Sequence, residues 1–478
     1  MSFAELLTNE QVERVHEASL EILEEVGLKV RYGPARELFE QHGCHVEDER
    51  VKFPRAVIET FRKMYPPSFK FGARDPKFDK IIPQDSPVIV TASSAPDIID
   101  PVTGVERRAT SSDIAKIAHL INELPGYDVF SISTLADDAP ADQFTISRLY
   151  PALKHCLKPI RVTTTDRKDT DSVMKMAYMV AGGEDAYREH PFLTHHYCPV
   201  VSPLTMDVLS TENVMYFARE GLPVYPTIVP NAGLTSPMSM AGTIAQGNAE
   251  FLSAATLMQM CKEGTPLIYA TLGTVADMRT GAYASGGIEC GMLHMAFAQM
   301  AHFYNVPCGG YIGLTNSKVN DAQAGYETGM SGTAGLLSGM DMFNIGGLID
   351  ALKTFDFAKA VIDDEIAQNM KRLKHGVAFD EEELAVPLIK ATGPGGSFIV
   401  DPHTIKRMKT EAILTKMADR NVRTIWEKKG AMDIQARAMA KAKEVMTTNT
   451  DPLISAELDE KLHAEFSGMI AGTLEPIE

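Results

Sequence analysis

The 478-residue sequence has no apolar run long enough to cross a membrane and no excess of basic charge. A membrane helix needs about 20 consecutive apolar residues. The chain has 46 basic residues against 63 acidic ones, a formal net charge of −17. Because a surface of this sign repels nucleic-acid phosphates and anionic lipid headgroups, nucleic-acid and membrane partners are disfavoured. The first 23 residues also lack the basic and apolar segments of a signal peptide, so we expect a cytoplasmic protein.

Paired cysteines and nucleotide-binding loops are missing as well. Six cysteines without Cys-x-x-Cys spacing, beside 25 methionines, are typical of a reduced protein and predict no resident metal. The glycine-rich 393–396 (GPGG) lacks the Lys-Ser/Thr of a phosphate loop, and the chain has no GxSxG motif. These absences argue against nucleotide hydrolysis and serine-hydrolase chemistry. The cysteines are Cys44, Cys156, Cys198, Cys261, Cys290 and Cys308.

A regular alternation begins at Pro87. Eight short apolar, β-rich runs recur about 35 residues apart, and helix-length segments with 3.6-residue apolar spacing separate them. Eight such alternations predict a (β/α)8 barrel. An open doubly wound sheet is the alternative, but the first run is not followed by a glycine-rich phosphate turn. The runs are 87–93, 127–134, 159–165, 192–198, 223–229, 266–273, 307–314 and 341–348.

The patterns on either side of the barrel differ from it. Residues 1–86 read as an N-terminal α+β extension packed on the barrel, with an amphipathic helix from Asn9 to Val26. The barrel takes residues 87–376. Residues 377–478 read as a loop and a helical segment that complete the same unit.

Small and polar residues end the predicted strands. In a barrel these ends meet at one rim, where enzymes of this fold place their chemistry. Loops are polar in any fold, so this pattern alone is not decisive. It nevertheless recurs in all eight runs, which favours an active site at the rim.

The segment 194–198 (THHYC) places two imidazoles, a phenol and a thiol at the end of the fourth run. Side chains alternate along a strand, so His195 and Tyr197 point to one side, and His196 and Cys198 to the other. We hypothesise that the inward pair binds substrate. Two alternatives stay open. One is a histidine of the core, and the other is a zinc site that joins either histidine to Cys198 with Cys290 or Cys308.

Two further groups of residues are candidates. The segment after the seventh run passes from a polar loop into a helix, where carboxylates also suit the helix dipole. Aromatic residues at strand positions could form a cage for a quaternary ammonium, although core packing also predicts aromatics there. The polar group is Asn316, Lys318, Asp321, Gln323, Tyr326 and Glu327, and the aromatic group is Tyr225, Tyr269, Tyr311 and Phe343.

Four long strings resemble the trimethylamine methyltransferase family. They are 314–327 (LTNSKVNDAQAGYE), 307–313 (PCGGYIG), 393–404 (GPGGSFIVDPHT) and 419–430 (DRNVRTIWEKKG), and the similarity extends over nearly the whole chain. The resemblance implies a (β/α)8 barrel that passes a methyl group from a methylated amine to the Co(I) corrinoid of a separate protein. It also implies no permanently bound cofactor and a homo-oligomer.

The sequence departs from the founding members of that family, which act on trimethylamine and contain pyrrolysine. It contains only standard residues and is similar to the branch without pyrrolysine, whose substrates are quaternary amines. The expected substrate is therefore glycine betaine, giving dimethylglycine and a methylcobalamin protein. Proline betaine or carnitine as substrate, a zinc-dependent methyltransferase, and a non-catalytic betaine-binding barrel are the alternatives.

The resemblance also suggests roles for the candidate residues. A quaternary amine leaves as a neutral tertiary amine, so the enzyme would supply positioning, desolvation and charge stabilisation rather than a proton. Aromatic faces and Glu327 are expected to hold the ammonium group. The residues expected to receive the carboxylate are His195, His196, Asn316 or Lys318. The predicted catalytic residues are Glu327, His195 and Asn316. The predicted substrate-binding residues are His196, Tyr197, Tyr311, Lys318, Gln323, Tyr269, Phe343 and His403, the last in a recurrent family segment.

Overall fold

A closed barrel of eight parallel strands forms the centre of the protein, in a computed structural model that describes residues 3–478. From β2 to β8 each strand pairs with the next along the chain, and β8 pairs with β1. A parallel bridge between Val90 and Val129 closes the ring. Each of the eight predicted runs contains one strand, so the predicted (β/α)8 barrel is confirmed. The strands are β1 Val88–Val90, β2 Phe130–Ser131, β3 Ile160–Val162, β4 Leu193–Tyr197, β5 Val224–Ile228, β6 Tyr269–Thr271, β7 Cys308–Gly310 and β8 Met342–Asn344.

A long helix follows each strand. Several of these helices begin at a side chain that satisfies the free backbone N–H groups of the first turn. Thr110 and Asp113 form a capping box at the start of α1, and Asp321 accepts a hydrogen bond from the Ala324 N–H at the start of α7. The helices are α1 Ser111–Glu123, α2 Phe144–His155, α3 Arg167–Ala181, α4 Leu209–Glu220, α5 Met240–Cys261, α6 Ile288–Tyr304, α7 Ala322–Leu337 and α8 Phe357–His375.

The N-terminal segment packs on the outside of the barrel. Its first helix, Asn9–Glu21, lies on α5, where the buried Ser19 hydroxyl donates to the Ala245 carbonyl and accepts from Asn248. Its strands form a sheet that two short strands from the β4–α4 connection extend. The strands of this sheet are Leu28–Val30, His45–Glu47, Arg50–Lys52, Val200–Val201 and Thr205–Met206, and the remaining helices are Gly33–Gln41 and Arg55–Phe61.

A hairpin of the same segment fills the N-terminal end of the barrel. Its strands are Phe69–Phe71 and Lys80–Ile82. Phe69 and Phe71 are almost fully buried against Tyr225 and against side chains at the starts of the barrel strands, in a cluster separate from the main core. We call this hairpin the plug, because it closes the barrel at the end opposite the strand carboxyl ends.

Two small sheets surround the C-terminal mouth of the barrel. The first joins Asn231–Ala232, Thr274–Asp277 and Ala282–Ala284, from the loops after β5 and β6. The second joins Asp97–Ile99, Glu106–Arg108, Leu348–Ile349 and Thr354–Phe355, from the loops after β1 and β8. The loops at the mouth are therefore ordered by backbone pairing.

The C-terminal segment crosses the outside of the barrel. Helix Ile434–Val445 packs on α8 and α1, and the Glu365 carboxylate accepts backbone hydrogen bonds from Lys416, Met417 and Ala418. None of the helices in residues 3–478 combines the length and apolarity of a bilayer-crossing segment. The other helices here are Glu381–Leu384, Val386–Thr392, Pro402–Arg407, Arg423–Lys428 and Ala456–Glu465.

Candidate active site at the barrel mouth

Strand β4 separates the two predicted pairs of side chains. His196 faces the barrel interior, where its Nε2 lies 2.7 Å from the Thr227 hydroxyl and its ring lies 6.1 Å from that of Tyr311. His195 faces outward and stacks on Phe217 of α4, with 3.6 Å between ring centroids and no hydrogen bond to either ring nitrogen. Tyr197 also points outward. The side chains of β4 alternate as expected, and the structure identifies the inward side as that of His196.

The same division applies to the candidate aromatic cage. The Tyr225 and Tyr311 side chains lie inside the barrel, where both hydroxyls accept hydrogen bonds from Arg161. Tyr269 faces outward, stacks on Phe251 and donates to Asn248. The Tyr197 hydroxyl pairs with Thr164, and Phe343 is buried in the core between strands and helices. The structure thus places Tyr197, Tyr269 and Phe343 away from the barrel interior, because the side chains beside an inward position point to the helices.

An arginine occupies the base of the mouth. Arg161, in the middle of β3, is 2 % exposed, and its side chain crosses the barrel interior. It donates to the hydroxyls of Ser131 (2.9 Å), Tyr225 (2.7 Å), Tyr311 (2.8 Å) and Ser93 (3.3 Å). With its side-chain oxygen turned to the guanidinium, Asn344 accepts hydrogen bonds from both terminal nitrogens. Arg161 was not among the residues predicted from the sequence, although a charged residue inside an apolar strand is rare enough to be a signal.

Glu327 lies at the rim, on the second turn of α7. Its carboxylate accepts hydrogen bonds from the Thr315 hydroxyl (2.6 Å), the Asn316 backbone N–H (2.8 Å) and the Gln323 amide (2.9 Å). It is 9 % exposed, and no cation in the described part of the chain forms an ion pair with it. A buried carboxylate held only by neutral donors has no counter-ion of its own, so its surroundings suit a ligand cation.

Asn316 ties this rim to the neighbouring loop. Its side chain accepts from the Gly286 N–H and donates to the Tyr283 carbonyl, both at 2.8 Å. Lys318 lies at the solvent edge, where its ammonium contacts the Asn316 carbonyl (2.7 Å) and Asp350 (3.3 Å). The structure therefore brings Asn316, Gln323 and Glu327 together and leaves Lys318 exposed beside them.

The described structure contains several buried polar atoms at the mouth without a hydrogen-bond partner. They belong to Asn231, Thr274, Tyr283 and Ser285, on or beside the first of the two mouth sheets. Buried polar groups are normally paired, so a cluster of unpaired ones indicates a place where a ligand or water binds. Burial raises the pKa of the Tyr283 hydroxyl, and Cys290, Thr274 and Tyr311 also act on it, which sets this phenol near the inward Tyr311. Only the fold reveals this cluster, since its members are spread over some fifty residues.

His403 lies apart from these residues. It is in the short helix Pro402–Arg407 of the C-terminal segment, which is joined by ion pairs to Glu382 and Glu383. Its Nε2 is buried without a hydrogen-bond partner. No hydrogen bond or ion pair in the described structure connects the His403 side chain to the barrel mouth, so its role in substrate binding stays a prediction.

The inward histidine and thiol are both uncharged at neutral pH. Burial, with the Arg161 charge, lowers the pKa of His196 well below its usual value, and burial raises the pKa of Cys198 to about 11. Within residues 3–478, no three His, Cys, Asp or Glu side chains are placed to hold a metal ion together. The zinc set considered from the sequence is divided, because His195 and Cys308 lie on the outer side of the strands.

A closed (β/α)8 barrel with buried charges and unpaired polar groups at its C-terminal mouth is typical of an enzyme that acts on a small molecule. The family described as trimethylamine methyltransferase (MTTB) matches residues 1–468. The chain belongs to the trimethylamine methyltransferase family, as the sequence strings indicated, and is an enzyme of the methyltransferase class.

Characterised relatives cover almost the entire chain. It is 32% identical to a glycine betaine methyltransferase of Desulfitobacterium hafniense strain Y51, over 96% of both chains. It is 30% identical to a trimethylamine methyltransferase of D. hafniense strain DCB-2, over 98% of this chain and 93% of that one. A trimethylamine methyltransferase of Methanosarcina thermophila is 27% identical over 96% of each chain.

Proposed function

We propose that the protein transfers a methyl group from glycine betaine to the Co(I) corrinoid of a partner protein, leaving dimethylglycine. The observation that carries the proposal is the Glu327 carboxylate, buried at the mouth without a cation. A trimethylammonium group would supply the missing positive charge without needing a hydrogen bond. The similarity to a glycine betaine methyltransferase points to the same substrate.

The reaction balances without a proton. The electron pair of Co(I) forms the new bond to the methyl carbon, and the breaking C–N bond leaves its pair on nitrogen, so the product is a neutral tertiary amine. This explains why a mouth whose inward histidine and thiol stay uncharged at neutral pH is suitable. The corrinoid supplies the nucleophile when its carrier is docked, and the chain supplies binding, orientation and exclusion of water.

The residues at the mouth divide this work. Glu327 offsets the ammonium charge, and the ring of Tyr283, with the face of Tyr311 that Arg161 leaves uncovered, adds cation–π attraction. The Asn316 backbone N–H and the Gln323 amide hold the Glu327 carboxylate in place, and the Asn316 side chain also holds the loop that carries Tyr283. His196 presents a neutral imidazole to the interior. The proposed enzyme holds no cofactor of its own and works in the cytoplasm, where its six free cysteines stay reduced, as a homo-oligomer.

A spectroscopic assay tests the proposal. The purified protein is mixed with a Co(I) corrinoid protein and, separately, glycine betaine, proline betaine, carnitine or trimethylamine. The visible spectrum is followed for methylcobalamin. We expect formation with glycine betaine and none when the protein is left out. If methylcobalamin formed faster with proline betaine or carnitine, the proposed substrate would be wrong and the proposed reaction would stand. If no amine gives methylcobalamin, the methyltransferase proposal fails, and stoichiometric zinc with activity lost on chelation would overturn the metal-free displacement.

A further inference from the structure

The positive charge of Arg161 has no negative partner in the described part of the chain. Its five N–H groups are all directed at neutral oxygens, three of them from Ser131, Tyr225 and Tyr311 at 2.7 to 2.9 Å. Polar contacts of this kind satisfy the hydrogen bonds of a guanidinium but leave its charge uncompensated. A buried charge without a counter-ion is costly, so the site is incomplete until an anion is close to it.

The cluster around Arg161 also has more donors than acceptors. The Tyr225 hydroxyl accepts from Arg161, and the structure gives no acceptor for its own proton. Ser93 and Tyr311 both accept from Arg161 and share one hydrogen bond of 3.0 Å between them, so one of these two hydroxyl protons remains free. Free O–H protons beside a guanidinium are the chemistry that binds a carboxylate.

The Arg161 cluster lies between the plug and the barrel mouth. Below it, Tyr225 packs on Phe69 and Phe71 of the plug, with ring centroids 5.7 and 6.5 Å apart. Ser93 and Tyr311 follow the carboxyl ends of β1 and β7, towards the mouth. Arg161 therefore forms the floor of the mouth, while Glu327 lies at its rim on α7. The site presents a positive charge at its floor and a negative charge at its rim, each held by neutral groups.

We propose that the Arg161 cluster receives the carboxylate of the substrate and so orients a zwitterionic amine with its N-methyl groups towards the mouth. The inference rests on the proposed function and adds how the substrate is oriented in the site. Because the plug closes the other end, a methyl group is accessible to a second protein only when it points outward. Since the N–H groups of Arg161 are already engaged, Arg161 is a positioning residue, and the hydroxyls of Ser93 and Tyr311 contact the carboxylate.

Binding measurements without any corrinoid test the charge at the floor. Calorimetry compares glycine betaine with choline, which has the same trimethylammonium group and a neutral hydroxymethyl group in place of the carboxylate. We expect the wild-type protein to prefer glycine betaine, and Arg161→Gln to weaken glycine betaine by about 30-fold while choline changes little. Arg161→Lys keeps the charge and should keep part of the preference. Equal weakening of both ligands in Arg161→Gln would show a structural role and overturn the inference.

Circular dichroism will show whether Arg161→Gln is folded. A second variant tests the inference in case it is not. The double variant Ser93→Ala with Tyr311→Phe keeps the guanidinium and removes the two hydroxyls that face the mouth. It should also lower the ratio of glycine betaine to choline affinity, by about 10-fold. An unchanged ratio in this folded variant would equally contradict the inference.

Two analogues test the orientation. An N-alkyl-N,N-dimethylglycine, in which a longer chain replaces one methyl group, should bind within about 10-fold of glycine betaine because the added chain points out of the mouth. The methyl ester of glycine betaine should bind like choline. If the methyl ester bound as tightly as glycine betaine and the N-alkyl analogue bound weakly, the ammonium group would lie at the floor. If the wild-type protein demethylates no amine at all, the proposed function fails; if it demethylates glycine betaine but these ratios do not move, only the orientation fails.

Discussion

His195 and His196 are adjacent in β4, yet the fold puts them in different surroundings. The outward His195 is stacked between strand and helix and makes no hydrogen bond. The inward His196 bonds to Thr227 and lies within 6.1 Å of the Tyr311 ring. Tyr269 and Tyr311 differ in the same way, one packed on Phe251 and the other bonded to Arg161. On the outer face these rings pack against the helices, and on the inner face their polar atoms point into the barrel.

This comparison predicts that outer-face substitutions change stability and inner-face substitutions change activity. The largest effect is expected for Phe217→Ala on the outer face, which removes a fully buried ring stacked on His195. Truncation of a buried phenylalanine lowers the free energy of unfolding by about 3 to 5 kcal/mol. Denaturant unfolding measures this, and methyl transfer by the folded fraction should stay within about twofold of wild type.

The matched control for Phe217→Ala is Leu209→Ala on the same helix, since Leu209 is 48% exposed. It should cost less than about 1 kcal/mol of unfolding free energy. A large loss of methyl transfer by folded Phe217→Ala would contradict the division, because it would mean that the outer face controls the mouth.

On the inner side, Glu327→Gln should lower methyl transfer by about 100-fold, because it removes the charge while keeping the shape. Asp321→Asn is its control on the same helix. Asp321 caps α7 through the Ala324 N–H, and asparagine caps equally well, so this variant also loses one charge and should leave the rate unchanged. Single-turnover formation of methylcobalamin compares the two. Wild-type rates in Glu327→Gln would remove Glu327 from the site.

The smallest effect concerns the outward histidine and pH. Burial lowers the pKa of His195 to about 3, from 6.5 in the unfolded chain. Below pH 6.5 the unfolded state therefore binds a proton that the folded state does not, and stability falls as pH falls. At about 1.4 kcal/mol per unit, His195 should account for about 2 kcal/mol of the loss between pH 7 and pH 5.

His195→Leu should remove that part of the slope, measured by denaturant unfolding at each pH. Between pH 7.5 and 8.5, where the histidine is neutral in both states, the dependence of stability on pH should be the same in variant and wild type. An unchanged slope below pH 6.5 would show that His195 is not buried as described. A selective loss of methyl transfer in this variant would return His195 to the active site.

The sequence predicted much of the fold because its period is regular. Eight β-rich runs separated by amphipathic helices have few alternatives, and all eight contain a strand. The contacts among Asn316, Gln323 and Glu327 could also be predicted, because these residues are close together in the chain around the start of a helix.

The orientation of the side chains, towards the barrel interior or towards the helices, could not be predicted from the sequence. Strands of a barrel are buried on both faces, so apolar patterning does not distinguish inside from outside, and His195, Tyr197, Tyr269 and Phe343 were selected although they face the helices. Arg161 and Tyr283 were missed for another reason. Their partners lie on distant strands and loops, and only closure of the barrel brings them together.

The plug has a consequence for the order of events. Phe69 and Phe71 close one end of the barrel, so under the proposed function the amine and the corrinoid protein both approach through the C-terminal mouth. Under the proposed function the amine must enter before the carrier docks, and the tertiary amine can leave only after the carrier departs. Turnover is then a compulsory sequence, and a large excess of carrier protein should slow it by blocking the entry of the next amine.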